Sequence, residues 1–210
     1  MKKIIFIGAG GYAKSAIDAL SLYNHHIEGF IDDFKEGEHL GYKILGNCIE
    51  DIFEPHKYEY FISIGGNKKR KIWHDILKNK GLELINIIDR TAIVSNNVEI
   101  GTGCFIGKMA IVNSDVIIGD NCVINTKALV EHGCRIGNHV NISTNSVLNG
   151  DVRVKDSAFV GSCSVVNGQL LIGERAMVGS GAVVIRDVED DSTVVGVPAR
   201  RIEERRYKNV

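Results

Sequence analysis

No apolar stretch in this 210-residue chain approaches 18 residues, so no segment reads as a membrane span. The opening residues MKKIIFIGAGGYAKS resemble a signal peptide only at first glance. The apolar run is too short, glycines interrupt it, and no cleavage pattern follows. They read instead as a strand entering a turn, which points to the cytoplasm. Charge of one sign is also lacking: 25 basic residues face 26 acidic ones, with no basic stripe for nucleic acid and no charged tail. The five cysteines form an odd set without a CxxC pair, which argues against a disulfide framework. No His/Cys spacing matches a zinc site, so no metal is expected. What the chain does have is 44% apolar residues, enough for a buried core.

Residues 1–90 alternate strand and helix patterns. Lys3–Ile7 is a short apolar run. Gly8-Ala9-Gly10-Gly11 follows, then helical spacing over Tyr12–Tyr23. Ile27–Ile31 ends at Asp32-Asp33, Tyr60–Ile64 ends at Gly65-Gly66, and Lys68–Lys80 is a second helix. Such alternation predicts a parallel sheet. The length suffices for one βαβαβ half of a doubly wound (Rossmann-type) fold, not for both.

Residues 91–210 follow another rule. Counting in sixes from Val94 to Val184 meets sixteen positions, and each is Val, Ile or Leu. The next position is Gly or Asn in eleven of the sixteen, which reads as a left-handed backbone site. Four residues after each aliphatic stands a small or apolar side chain, among them Cys104, Ala110, Cys122, Ala128 and Cys134. Two inward positions and a turn in every six describe one flat face of a triangular coil, and three such faces close an 18-residue turn. The prediction is a left-handed parallel β-helix of hexapeptide repeats with about five coils. The three cysteines then pack in its core. The tail from Asp187 leaves the repeat and is expected to end in a short basic C-terminal helix.

The repeat fixes which side chains face out. His132 lies two positions past Val130, so its ring projects from the prism, with Ser114 and Gly150 one coil away on either side. Gly150 leaves space above the ring. Glu131 occupies a position where Gly or Asn is the rule, the kind of local exception that marks a functional site. Spacing alone leaves open whether His132 is catalytic or simply exposed. His139 and the remaining histidines (His25, His26, His39, His56 and His74) show no paired spacing and read as surface. The loop Gly8-x-Gly10-Gly11-x-Ala13 after a strand presents N–H groups and a positive helix end to phosphate. With Asp32 about 20 residues on it also suits a dinucleotide, but the missing second half argues against NAD.

The repeat, the VVGVPARRI tail, GAGGYAKSAIDAL, GFIDD and SIGGNKKRK together resemble the bacterial sugar acetyltransferases of the NeuD/PglD type, over nearly the whole chain. The resemblance implies an acetyl-CoA-dependent transfer to the amino group of a nucleotide-linked 4-amino-4,6-dideoxy sugar for surface glycan synthesis. It implies a homotrimer with active sites between β-helices. An O-acetyltransferase acting on sialic acid or another hydroxyl, and a catalytically weakened nucleotide-sugar-binding scaffold, are the alternatives. His132 would be the base and Glu131 a modulator. Gly10, Gly11 and Tyr12 would lie near the pyrophosphate, Asp32 and Asp33 near the base, and Gly65 beside them. Asn141, Ser162 and Ser180 match acetyl-CoA positions. Arg186, Arg200 and Arg201 would meet CoA phosphates or form a solvated basic end. Two departures stand out: Gly133 replaces the acidic residue expected after the catalytic histidine, and Asn141 replaces a second histidine.

Overall fold

The computed structural model describes residues 3–20 and 26–202. The N-terminal part is a three-layer α/β unit. Its strands are β1 (Lys3–Ile7), β2 (Ile27–Ile31), β3 (Glu38–His39), β4 (Tyr42–Gly46), β5 (Tyr58–Ile62) and β6 (Glu83–Leu84), with helices α1 (Gly11–Leu20) and α2 (Asn67–Asn79). The sheet order is β3-β4-β2-β1-β5-β6, parallel except for the β3–β4 pair. The expected end of the first helix, residues 21–23, lies outside the described residues, as does His25. Central strand β1 is buried on both faces from Ile4 to Ile7, which is why it reads as a continuous apolar run.

The second part is the β-helix, and it begins before Val94. Ile87–Ile88 already pairs in parallel with Phe105–Ile106. Three flat sheets of two-residue rungs stack around one apolar core. The aliphatic of every hexad points inward, and the small residue two positions before it fills the remaining space. Val112, Val130, Leu148 and Val166 in one column and Cys104, Cys122 and Cys134 elsewhere have no exposed surface. Each buried methylene contributes about 0.8 kcal/mol.

Two expectations about the repeat need correction. The left-handed residues are not the Gly/Asn positions. They lie two further on, at Met109, Asp115, Asn121, Lys127, Gly133, His139 and Asn145, with φ between 56° and 69°. The glycines answer a different constraint. A Cβ on Gly161 would lie 2.6 Å from Ser180 N and Val178 O of the next coil. Close stacking at the corner, not φ, excludes a side chain there. The tail also keeps the coil for longer than expected: Thr193–Val195 pairs in parallel with Met177–Val178, then antiparallel with Arg200–Ile202. A hairpin therefore occupies residues 193–202, and any terminal helix falls in 203–210, outside the described residues.

Face one of the prism, the column of Ile87, Phe105 and Val123, packs under α1. Phe6, Phe61, Ala13 and Ala16 share one apolar cluster with those three side chains. Face two is the column of Ile111, Leu129 and Val147, and face three that of Ile117, Arg135 and Arg153; higher on the same side α2 covers the corner between faces three and one. That burial overturns the surface reading of two histidines: His74 is 7% exposed and His139 6%. Their rings meet edge to face with centroids 4.9 Å apart. Burial lowers the pKa of both rings, that of His139 to about 4. Among the described residues no helix is long and apolar enough to cross a membrane.

Candidate active site

Strand β1 runs directly into the glycine loop. Gly8 has φ +95°, and a Cβ there would lie 2.7 Å from Ile64 Cγ1, so only glycine fits. The loop and the start of α1 border a cavity of about 380 Å³. Gly10, Gly11, Tyr12, Asp32, Asp33 and Gly65, the positions that the family resemblance implies for a nucleotide, all line it. Lys69 and Trp73 of α2 complete the wall. The size is within the range of small-ligand sites.

The two aspartates have different tasks. Asp32 Oδ2 accepts from Ala9 N at 2.7 Å, and Oδ1 accepts from Phe34 N and Lys35 N at 3.0 and 3.1 Å. Partial burial opposes its charge, but these N–H groups and the Lys35 ammonium outweigh it and hold the carboxyl below its ordinary range. Asp32 thus locks the glycine loop to the turn after β2. Asp33 is the carboxylate turned to the cavity's outer rim, 2.6 Å from Lys69 Nζ. The Lys69 ammonium also lies 4.7 Å from the centre of the Phe34 ring, which is 87% exposed.

Tyr12 connects this cavity to a second one. Its ring packs edge-on against Phe105 of the β-helix (5.4 Å) and Phe61 of β5 (6.1 Å). Burial raises its phenol pKa well above the ordinary value. The second cavity, about 440 Å³, lies between the α/β unit and the prism. Gly11, Tyr12 and Gly65 line both cavities, and Asn125, Thr126, Asn141 and Thr144 supply the β-helix wall. Asn141 is 7% exposed and its Oδ1 accepts from Ser143 Oγ at 3.1 Å, which leaves its N–H pair to donate.

His132 is exposed, as its register requires. Its ring lies against Gly150: a Cβ on that glycine would fall 2.6 Å from Cε1 and 2.8 Å from Nε2. Glu131 is tied down the stack, Oε2 accepting from Asn113 Nδ2 at 2.9 Å. Gly133 takes the left-handed turn with φ +69°, and a Cβ there would collide with Asp151 Oδ1. A carboxylate from the next coil therefore fills the space where an acidic side chain after His132 would start.

Not every candidate residue is brought together within one chain. His132 stands on the edge between faces two and three. Ser162, half-buried, and Ser180, exposed, stack with Thr126 and Thr144 on the edge between faces one and two. Arg201 pairs with Glu189, Arg200 Nη1 donates to its neighbour Ala199 O, and Arg186 is exposed.

Arg70 is a residue that sequence reasoning missed. It is 1% exposed, and its hydrogen bonds among the described residues go to backbone carbonyls and an amide, not to a carboxylate. Its Nη1 donates to Gly65 O (3.1 Å), Nε to Asn121 O (3.1 Å) and Nη2 to His139 O (2.9 Å) and Asn67 Oδ1 (2.9 Å). One guanidinium thereby holds the Gly65 loop against a corner of the prism. In the sequence it is one cation in the run Lys68-Lys69-Arg70-Lys71, with nothing to separate it from its solvated neighbours.

Comparison with known proteins sets this geometry in context. Residues 3–77 match the PglD N-terminal domain family, and residues 83–169 match the GMPPB C-terminal domain family. The chain is 31% identical to PerB from Caulobacter crescentus, solved with CoA and GDP-perosamine, over 97% of this chain and 98% of that one, with a TM-score of 0.92. It is 28% identical to the acetyltransferase domain of PglB from Neisseria gonorrhoeae, covering 96% of this chain and all (100%) of that one, TM-score 0.92. WeeI from Acinetobacter baumannii is 28% identical with the same coverage, 96% and 100%, and a TM-score of 0.88. An uncharacterized protein of Acanthamoeba polyphaga mimivirus is 34% identical over 105 residues, 50% of this chain, and the chain spans 21% of that protein's length. With an α/β unit, a hexapeptide β-helix and whole-length likeness to solved acetyltransferases, the chain belongs to the PglD/NeuD-type family of sugar acetyltransferases.

Proposed function

We propose that the protein transfers acetyl from acetyl-CoA to the amino group of a nucleotide-linked 4-amino-4,6-dideoxy sugar, for use in surface glycan synthesis. The observation that carries this reading is the near-complete overlay on PerB, whose crystal structure holds CoA and GDP-perosamine together. The two cavities support it. The first, at the glycine loop, suits the nucleotide diphosphate, and the second leads on from Gly11 and Gly65 to the β-helix surface. Residues 1–90 would then bind the nucleotide sugar, and residues 91–210 would carry the acyl transfer.

The chemistry asks for a base at the amine and donors at the thioester oxygen. Neutral His132 takes a proton as the amine nitrogen attacks the thioester carbon. N–H donors hold the tetrahedral oxyanion, and Asn141 is a side-chain candidate for one of them. Collapse breaks the C–S bond, forms the amide, and returns the proton from His132 to the departing CoA thiolate. His132 and the Ser162–Ser180 edge lie on different corners of one prism. A site using both draws them from adjacent subunits, which supports a homotrimer with acetyl-CoA in the groove between β-helices. Water-soluble, charged co-substrates fit a cytoplasmic enzyme.

The test is CoA release with acetyl-CoA and a GDP- or UDP-linked 4-amino-4,6-dideoxy sugar. Wild type turns over, and His132→Ala falls about 10²–10⁴-fold. Wild-type inertness toward every such amino sugar would reject the reading. Full activity of His132→Ala would reject only the base.

A further inference from the structure

Where α2 meets the prism lies a cluster that the acetyl transfer does not use. His74 and Asp75 of α2 meet His139 from the corner between faces three and one. One donor atom from each of the three lies within 4.8 Å of the other two. His74 is the anomaly among them. Its side chain is 8% exposed, and among the described residues neither ring nitrogen has a hydrogen-bond partner. Leaving both nitrogens of a buried imidazole unpaired costs about 1–3 kcal/mol. Its neighbours are placed as if around a third party: Nδ1 stands 3.7 Å from Asp75 Oδ1, and Nε2 stands 3.8 Å from Asp120 Oδ2. Both gaps exceed hydrogen-bond length.

We propose that His74, Asp75 and His139 form a divalent transition-metal site of the zinc class that clamps α2 to the β-helix. Two imidazoles and one carboxylate suit such an ion. Ligand atoms on a tetrahedral zinc lie about 3.3 Å apart, so the Nδ1–Oδ1 pair, at 3.7 Å, is nearly in place and His139, within 4.8 Å of both, closes by about 1.5 Å at most. Asp75 has an oxygen to offer, because Lys71 Nζ engages only Oδ2, at 2.6 Å. Outer partners are present for both rings, as metal-bound histidines require. Asp120 faces His74 Nε2, although it also serves Thr102 N and Lys78. The Asn121 amide nitrogen lies 2.9 Å from His139 Nδ1, and its Oδ1 has no partner among the described residues. Turned over, the amide gives up a 3.3 Å contact to Arg70 O and accepts from Nδ1–H, freeing His139 Nε2 for the ion.

The site is independent of the transfer chemistry, and its test needs no acetyl acceptor. Full-length protein is stripped with chelator, then titrated with Zn²⁺ and, as a spectroscopic probe, Co²⁺. Wild type should bind one ion per chain, show Co²⁺ d–d absorption, and gain about 3 °C or more in Tm at saturating Zn²⁺. His139→Asn keeps a residue that tolerates the corner's φ of +60°, and Asp75→Asn changes a side chain that is 48% exposed. Both should fold, Asp75→Asn with a metal-free Tm near wild type and His139→Asn with one lowered by its lost ring packing, and both should lose the absorption and the Zn²⁺ response. Equal responses in wild type and variants, or no stoichiometric binding by wild type, would overturn the site and leave a neutral buried histidine pair.

Discussion

Arg70 Nη2 donates to the backbone carbonyl of His139 at 2.9 Å, across the junction between α2 and the β-helix. The same side chain reaches Gly65, which lines both cavities. A guanidinium is suited to this because its planar fork serves several carbonyls at once. Removing it leaves buried carbonyls without donors. Arg70→Met should cost about 3 kcal/mol in chemical denaturation and weaken nucleotide binding, since the Gly65 loop loses its anchor. Arg70→Lys should recover little, because one ammonium cannot span the same acceptors.

Gly150 controls the space around the proposed base. Gly150→Ala places a methyl against His132 Cε1 and Nε2, and the exposed ring has solvent to turn into. Turnover should fall by about 10-fold or more, with Tm shifted by no more than a few degrees. Steady-state CoA release and a thermal melt check both. Unchanged turnover would remove His132 from the reaction.

The corner glycines and the left-handed residues should respond in opposite ways. Gly161→Ala drives a methyl into the backbone of the next coil and should destabilise by about 1–3 kcal/mol. Lys127 has φ +58°, so Lys127→Gly relieves about 1 kcal/mol of backbone strain, offset by the freedom glycine gains on unfolding. Its denaturation midpoint should stay level or rise. The reverse pattern would mean that the hexad's Gly/Asn position carries the left-handed turn after all.

Asp32 and Asp33 are adjacent but should separate experimentally. The folded-state pKa of Asp32 lies below its ordinary 3.8. Its stabilising contribution is therefore full above that value and is lost as pH falls from there through the folded pKa. Asp32→Asn should cost about 1–3 kcal/mol near pH 7 and flatten the acid limb of the stability curve. Asp33→Asn should leave Tm nearly unchanged and alter the affinity for different nucleoside diphosphates, as read by calorimetry.

Much of this was legible in the sequence. The step of six from Val94 to Val184 fixed inward and outward positions, so the core cysteines and the exposed His132 follow from counting. The six residues that the family resemblance places near a nucleotide line one cavity, whose ligand is a matter for the proposed function. The role of the corner glycines was misread because a glycine needed for close approach and one needed for positive φ look identical in sequence. Only the neighbouring coil's backbone tells them apart.

Periodicity reports the environment that a chain makes for itself. It determined the β-helix, its core and its outward-facing residues, because each coil repeats the same local geometry. It carries no information on what a second unit lays over that surface. His139 is outward by register and buried in fact, 65 residues along the chain from the His74 it meets. The fate of Arg70 and the tie of Asp32 to the glycine loop likewise arise from contacts between segments distant in sequence. The tertiary structure decided those, because burial and hydrogen-bond partners there come from packing that no single segment encodes.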